Sequence, residues 1–490
     1  MSQSVSRRNF VTAGSIAMAA TAAATAVAAS PAGASDGSTA DYDVIIVGAG
    51  LAGLSTGVRL LELGVSNVLI VTKGDGAGAG ANSSVAGGQF LLPVEDTDEG
   101  VELFYEAFML KSDGKGRQDL SRLIAQNAQN ANAWLQNHGC EFTEAVQVKP
   151  YDILAVNAAP GAGVGMPALI AQMDSEYQSL GGQMLPNAKM LDFTVDETGA
   201  VSGVKVRTAD GIQCLTAAST VVATGGYLGN KQLMEQWCGA DGDQIIVRGH
   251  KSLTGDGLLA AERIGAMQYT MGGIQESLHI APVPPAMPAL CPFQSAQYTV
   301  AVNTEGQRFV DESLGYVAIG KAAYNQPGQT HALIFDSAAV ESNDILKGDV
   351  EKFGNFGIPA AQADTIEDLA AQIGVDPAAL AATVDEYNAA VDGEKTSGLA
   401  IDKNACASKV ETAPFYAFAP MVPGGTQCFG GLYTDGDCRV LEADGTPIAN
   451  LYAAGEVIGG IFVYDYIGGA SLTRNVVTGM HVADLIAEQL

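Results

Sequence analysis

"DYDVIIVGAGLAGLSTGVRLLELG", which begins at Asp41, constrains the fold of this chain more than any other stretch. A short apolar run, a Gly-rich turn and a helical pattern closed by Gly64 predict a buried strand that passes directly into a helix. "NVLIVTK" then predicts a second buried strand, which completes a βαβ unit of the dinucleotide-binding kind. Gly48 serves the tight turn, Gly50 the approach of backbone to a pyrophosphate, and Gly53 the close packing of the helix, with phosphates at the helix N-terminus. Such a glycine triplet is weak evidence alone and strong when flanked by this strand and this helix. The acidic residue expected about 20 residues further on, to hold a ribose hydroxyl, is replaced by Thr72 and Lys73. That departure counts against NAD and leaves FAD open.

At 490 residues the chain is too long for one ordinary core, and two domains are expected. The formal net charge of −29 disfavours nucleic acid and anionic membrane surfaces as partners. Seven scattered cysteines form no Cys-x-x-Cys pair and five histidines show no ligand spacing, so no metal centre is expected. Arg7 and Arg8 precede an Ala-rich run, which predicts a twin-arginine export signal over 1–35 and a destination in the periplasm or at the cell surface of a bacterium. Beyond it no stretch reaches roughly 18 uninterrupted apolar residues, so no membrane span is expected in the mature chain. Further along, "QDLSRLIAQNAQNANAWLQNHG" predicts an amphipathic helix and "FTVDETGAVSGVKVRTADG" a hairpin or meander; "STVVATGGYLGN" predicts a buried strand ending in paired glycines. The Pro-rich "HIAPVPPAMPALCPF" reads either as a rigid connection or as an apolar lid beside a pocket.

Six stretches occur in an order that resembles the fumarate reductase flavoprotein family, which includes 3-ketosteroid dehydrogenases: "VGAGLAG", "ANSSVAGG", "VVATGG", "LTGDG", "VNTEGQRFVDE" and "LYAAGEVIGG". The resemblance runs from about residue 41 to the C-terminus. It implies an α/β chain with a Rossmann-like FAD-binding domain in two segments, 41–273 and 415–490, and an inserted α+β capping domain over 274–414. It also implies FAD contacts at Gly48, Gly50, Ala52, Gly53, Thr72, Lys73, Asn82, Ser83, Gly87, Gly88, Ala223, Thr224, Gly225, Asp256 and Glu456. Ser471 and Leu472 would present backbone N–H groups to the flavin, where a helix N-terminus stabilises negative charge on a reduced ring. Nothing matches the histidine that links FAD covalently in some relatives, so non-covalent FAD is expected. No attached haem domain is legible either, and a separate electron carrier, such as a c-type cytochrome, is the expected partner.

The substrate region departs from the fumarate reductases. Their two arginines, one gripping a carboxylate and one donating a proton, fall here at Tyr466 and Tyr316. Their histidines fall at Thr426 or Gln427 and near Ser277, with His279 two residues off, and the relay residues upstream fall at Pro292 and Ser295. Tyrosines in these regions resemble those of the ketosteroid dehydrogenases. A phenol is a neutral donor at pH 7 that can polarise a carbonyl or move a proton at carbon. The expectation is hydride transfer between flavin N5 and a C–C bond conjugated to a carbonyl. The substrate would be largely neutral and apolar, such as a ketosteroid or an aryl enone or enoate. Tyr466 would polarise it, Tyr316 would move the proton, and Ser277, His279 and Gly469 would line the site, with Tyr464 and Tyr298 as substitutes for either tyrosine. Two alternatives remain: a dicarboxylate reductase with relocated arginines, for which Arg308 and Arg474 are the candidates, and an FAD-binding paralogue without turnover.

Overall fold

Val44, Ile45, Ile46 and Val47 are buried on both faces of their strand, which such a continuous apolar run requires and only the middle of a covered parallel sheet provides. The strand Tyr42–Val47 lies between Gly211–Val222 and Val68–Val71 and is parallel to both. Gln183–Leu185 extends the sheet in parallel on one side and Pro447–Ala453 on the other, beyond Gly211–Val222, with Arg439–Leu441 as an antiparallel edge. The expected meander is present: Lys189–Val195 and Val201–Thr208 fold antiparallel onto Gly211–Val222. The helix Leu51–Glu62 follows the first strand and packs against the last helix, Ala470–Ala487. The predicted amphipathic helix is Gln118–Asn137.

This computed structural model describes residues 40–490 apart from 149–150, 161–164, 240–241, 243–244, 270, 273, 281–290, 293–294 and 464; of the strand Ile274–Ile280 it describes the backbone. The signal sequence, most of the Pro-rich stretch, Tyr464 and the side chains of Ser277 and His279 lie outside the described residues.

A second sheet is organised around one long strand, Phe415–Cys428. Ile274–Ile280, His331–Asp336 and Ala361–Ala363 pair with it antiparallel, the two-residue strand Ile246–Val247 pairs parallel, and Val300–Asn303 pairs with His331–Asp336. Phe415–Cys428, at the head of the second segment expected from the sequence, is thus hydrogen-bonded along its length into this second sheet. Below it, Glu312 is fully buried and accepts from the Ala301 N–H at 2.9 Å and from Arg308 Nη2 at 2.8 Å, with Lys403 Nζ at 3.9 Å. A carboxylate can be buried at this depth only with such partners.

His331 shares a face of its strand with Leu333 and Phe335 and makes an edge contact with Phe309. Neither ring nitrogen has a hydrogen-bond partner among the described residues, and burial lowers its pKa to about 3. The imidazole is therefore neutral in the folded state. An unfolded histidine titrates near about 6.5, so from there down to about 3 the unfolded chain binds the extra proton, and stability falls as pH falls. Replacing the side chain by His331→Phe should flatten this part of the acid-denaturation profile, measured as urea midpoints at pH values on both sides of the window. An unchanged slope would show that His331 is not the group responsible.

Candidate functional site

The turn after the first strand opens into a cleft of about 780 Å³ of empty space, continuous with solvent. Its lining includes Gly48, Gly50, Ala52, Thr72, Lys73, Asn82, Ser83, Ala223, Thr224, Gly225, Asp256 and Glu456. The glycines divide the work. A Cβ on Gly53 would overlap the Gly48 carbonyl oxygen, so Gly53 answers to helix packing within the chain. A Cβ on Gly50 would come no closer than 3.4 Å to Ala81 Cβ and Ser83 Oγ, so the chain itself does not demand glycine there. That residue faces the cleft at the N-terminus of Leu51–Glu62, which carries no side-chain cap at Gly50, where an anionic group would meet helix N–H donors. The Thr224 hydroxyl on the cleft wall is buried without a hydrogen-bond partner among the described residues. An uncapped helix N-terminus at the head of an open cleft fits a dinucleotide carrying a pyrophosphate.

Charged groups in the wall are paired within the chain. Lys73 Nζ donates to Asp256 Oδ2 at 2.7 Å, to Thr254 Oγ1 at 3.0 Å and to the Ser252 carbonyl, while Lys189 Nζ lies 3.1 Å from Asp256 Oδ1. Burial works against the Asp256 charge, but the two lysines outweigh it and hold the carboxyl below its ordinary range. Glu456 accepts from the Cys428 N–H at 3.0 Å and from Asn82 Nδ2 at 3.1 Å. Burial nevertheless leaves its pKa raised, against Arg474 and those two donors.

The tyrosine turn lies at the start of the last helix. The Tyr466 hydroxyl accepts the Gly469 N–H at 3.1 Å and the Ser471 N–H at 3.2 Å, with Ser471 Oγ at 2.9 Å. It thus caps a helix whose N-cap, Gly469, is left-handed at φ 100° and offers no side chain. With two N–H groups filling its acceptor sites, the phenol proton points to Ser471 Oγ. Lys111 Nζ donates to Asp465 Oδ2 at 2.9 Å and to the Leu314 carbonyl at 3.4 Å, and so ties this turn to the segment before Tyr316. A Cβ built on Gly468 would lie 3.6 Å from the Tyr316 hydroxyl, so this phenol stands over the turn. Burial pushes the Tyr316 pKa well above its ordinary value, Tyr466 adds to that, and Arg248 opposes it.

The FAD binding domain family matches residues 43–472. The chain belongs to that family. This flavoprotein is 31% identical over 393 residues to the NADH:acrylate oxidoreductase of Vibrio harveyi, covering 76% of its own length and 37% of that relative, so it spans little more than a third of the relative's chain. Among solved structures, the open conformation of a flavocytochrome c3 fumarate reductase superposes with a TM-score of 0.74 at 26% identity, covering 92% of this chain and 79% of the other. The 3-ketosteroid delta1-dehydrogenase of Sterolibacterium denitrificans superposes with a TM-score of 0.75 at 21% identity, covering 92% and 100%, and shares the fold.

In this flavoprotein Gly53, Gly87, Gly88, Ser471 and Leu472 are not among the cleft-lining residues. The Ser471 N–H is engaged by Tyr466, and the Leu472 N–H donates to the Gly469 carbonyl at 3.2 Å. The Gly469 N–H is likewise taken. Arg308 is committed to Glu312. Arg474 is buried, donates to Gln427 Oε1 at 3.3 Å and to Asn475 Oδ1 at 3.2 Å, and lies 5.3 Å over the Phe462 ring. Ser295 donates to Asp349 Oδ2 at 2.6 Å. Sequence reasoning missed Asn475, Met190 and Leu253 in the cleft, and it missed Arg248, a lone arginine in "VRGHKSLTGDG" that carries no motif signal.

The glycine geometry separates two substitutions. Gly50→Ala should leave apoprotein stability within about 0.5 kcal/mol and weaken FAD binding at least about tenfold, read by fluorescence titration. Gly53→Ala should instead lower the melting temperature of the apoprotein itself. The same loss of stability in both variants would refute the division of roles.

Proposed function

We propose that this flavoprotein reduces a carbon–carbon double bond conjugated to a carbonyl, with Tyr316 as the proton donor. The observation that carries the reading is the Tyr316 phenol, kept protonated by burial and standing over the Gly468 turn at the head of the last helix. FAD, when bound, supplies the hydride chemistry, and the residues of the chain hold and polarise the substrate. Reduction adds two electrons and two hydrogens: one carbon takes the hydride, and its neighbour takes a proton from the Tyr316 hydroxyl, which solvent then restores. The Tyr466 proton, directed at Ser471 Oγ, can turn to a substrate carbonyl oxygen and stabilise the charge that builds there.

The reading takes support from a relative named for acrylate and a structural neighbour named for fumarate, both with a double bond next to a carboxyl carbon. We assign residues 41–273 and 415–490 to the FAD-binding domain and 274–414 to the cap, with FAD held non-covalently. Ser277 and His279 are retained as substrate-facing candidates. Export by the twin-arginine route and electron supply from an external carrier such as a c-type cytochrome belong to the same proposal. No described helix is long and apolar enough to cross a membrane.

Anaerobic stopped-flow reoxidation of the photoreduced protein tests the reading. A conjugated alkene should reoxidise the flavin rapidly, and Tyr316→Phe should slow this at least about 100-fold with flavin content unchanged. Because the pKa of Tyr316 is raised, the proton-donor form persists, and the rate should stay level past the ordinary tyrosine value of about 10. Reduction of the flavin without reoxidation by any alkene would favour a paralogue without turnover. Tyr466→Phe removes a helix cap as well as a donor and should cost about 1 kcal/mol of stability by denaturant titration.

A further inference from the structure

Lys111 is the last residue of the helix Asp98–Lys111, and its side chain reaches two segments that lie far away in the sequence. Its Nζ donates to Asp465 Oδ2 at 2.9 Å and to the Leu314 carbonyl at 3.4 Å. The other oxygen of that carboxylate, Asp465 Oδ1, accepts the Tyr466 N–H at 2.7 Å. Both side chains of the ion pair are largely withdrawn from solvent, at 16% and 22% exposure. Burial works against the charge on Lys111, but Asp465 and Tyr151 outweigh it and hold its pKa above the ordinary lysine value. The ammonium is therefore charged at neutral pH. Each tyrosine sits beside a flexible joint. Tyr316 opens its helix, Tyr316–Tyr324, directly after Gly315, which is left-handed at φ 92° and gives no side-chain cap, and Tyr466 lies three residues before the left-handed Gly469. Glycine adds backbone freedom at both joints, and Lys111 holds the chain upstream of each. The same helix supports Tyr466 a second time: the Phe108 ring lies 5.7 Å from that of Phe462, which meets Tyr466 edge-on at 5.0 Å.

We propose that Lys111 is a positioning residue for both tyrosines, one ammonium fixing the turn of Tyr466 and the segment that leads into Tyr316 against each other. The assignment rests on the double-bond reductase reading, in which Tyr316 gives the proton and Tyr466 polarises the carbonyl. Lys111 acts through Asp465 and the Leu314 carbonyl rather than on the substrate. Two groups that serve neighbouring atoms of one substrate must keep a fixed separation, and a displacement of about 1 Å can cost about 100-fold in rate. An ammonium suits the task because its three N–H donors can serve a carboxylate and a carbonyl at once. An ion pair on an open surface would hold little, but removing this ammonium leaves the Asp465 carboxylate without its cation in a largely buried place. The turn that Asp465 carries would then lose its tie to the segment at 314, over which no other printed contact of Asp465 reaches.

The test uses the full FAD-loaded chain with Lys111→Met, Lys111→Arg and Asp465→Asn. Hydrogen–deuterium exchange reads the two segments without any substrate. In Lys111→Met the amides of 465–472 and of 312–320 should both exchange about tenfold or more faster, with flavin content unchanged, while in Lys111→Arg both stay near the rate of the unaltered protein. Asp465→Asn should loosen 465–472 and takes the place of Lys111→Met if that variant does not fold. Stopped-flow reoxidation of the photoreduced protein by acrylate and by cyclohex-2-enone then reads the consequence. In Lys111→Met the rate at saturating alkene should fall about tenfold or more with the half-saturating concentration within about twofold, and Lys111→Arg should recover most of the loss. Loosening of neither segment or of one alone in Lys111→Met, an unchanged rate, or a Lys111→Arg protein no better than Lys111→Met would each overturn the assignment. Paired loosening in Lys111→Met, with no reoxidation of the unaltered protein by either alkene, would leave the Lys111 tie standing and remove the reductase. Rapid reoxidation, with rate and exchange both unchanged in Lys111→Met, would do the reverse.

Discussion

One side chain joins the two sheets. Asn82 donates to the Thr426 carbonyl at 2.9 Å and to Glu456 at 3.1 Å, and it accepts the His250 N–H at 2.7 Å. Four segments distant in sequence meet at this amide, and each feeds a different part of the site. Residue 82 lies in the cleft wall, residue 250 follows Arg248, residue 426 belongs to the central strand of the second sheet, and Glu456 follows the last parallel strand. Partly buried polar groups joined in this way hold position because each satisfies the other's hydrogen-bonding needs. The cleft for FAD and the region of the tyrosines are therefore registered to one another through hydrogen bonds rather than through apolar contact alone.

The tyrosine turn shows a second economy. A helix that begins with Gly469, Ala470 and Ser471 has no side chain at its cap position, and the Tyr466 phenol reaches back to supply the oxygen. The Tyr466 side chain thus has a structural duty of its own, and its proton is oriented as a consequence. The packing of Phe462 edge-on to Tyr466 and beneath Arg474 completes the support.

Much of the fold was legible because its signals are local. The apolar run at 44–47, the glycine turn, the long amphipathic helix and the meander each follow from periodicity within one segment, and the ordered motifs extended the reading to the second segment. Most of the cleft wall followed as well, since the resemblance maps residue by residue. What stayed hidden depends on long-range meetings. Arg248 sits in a loop without periodicity, and the pairing of 246–247 with 424–425 sets its backbone against the second sheet. The Lys73–Asp256 pair was equally silent: the lysine looked like the loss of an acidic residue, whereas in space it faces one that sits 183 positions away. The capping role of Tyr466 could not be read either, because its partners lie along the helix N-terminus and their N–H directions depend on the turn.

The strand Phe415–Cys428 has a consequence for how such a molecule can change over generations. Its first half is paired with His331–Asp336, and its last residues bring the Thr426 carbonyl to Asn82 and the Cys428 N–H to Glu456. The strand already carries two register shifts, opposite His331/Leu333 and opposite Ile274/Glu276, and gaining or losing one further residue between those ends would carry the Thr426 carbonyl and the Cys428 N–H away from Asn82 and Glu456. The number of residues in this strand is therefore a fixed measure between the two halves. Change within this strand has to come from exchanging residues in place, while changes of length are left to the exposed turns such as 196–199 and 443–446, where nothing is being measured.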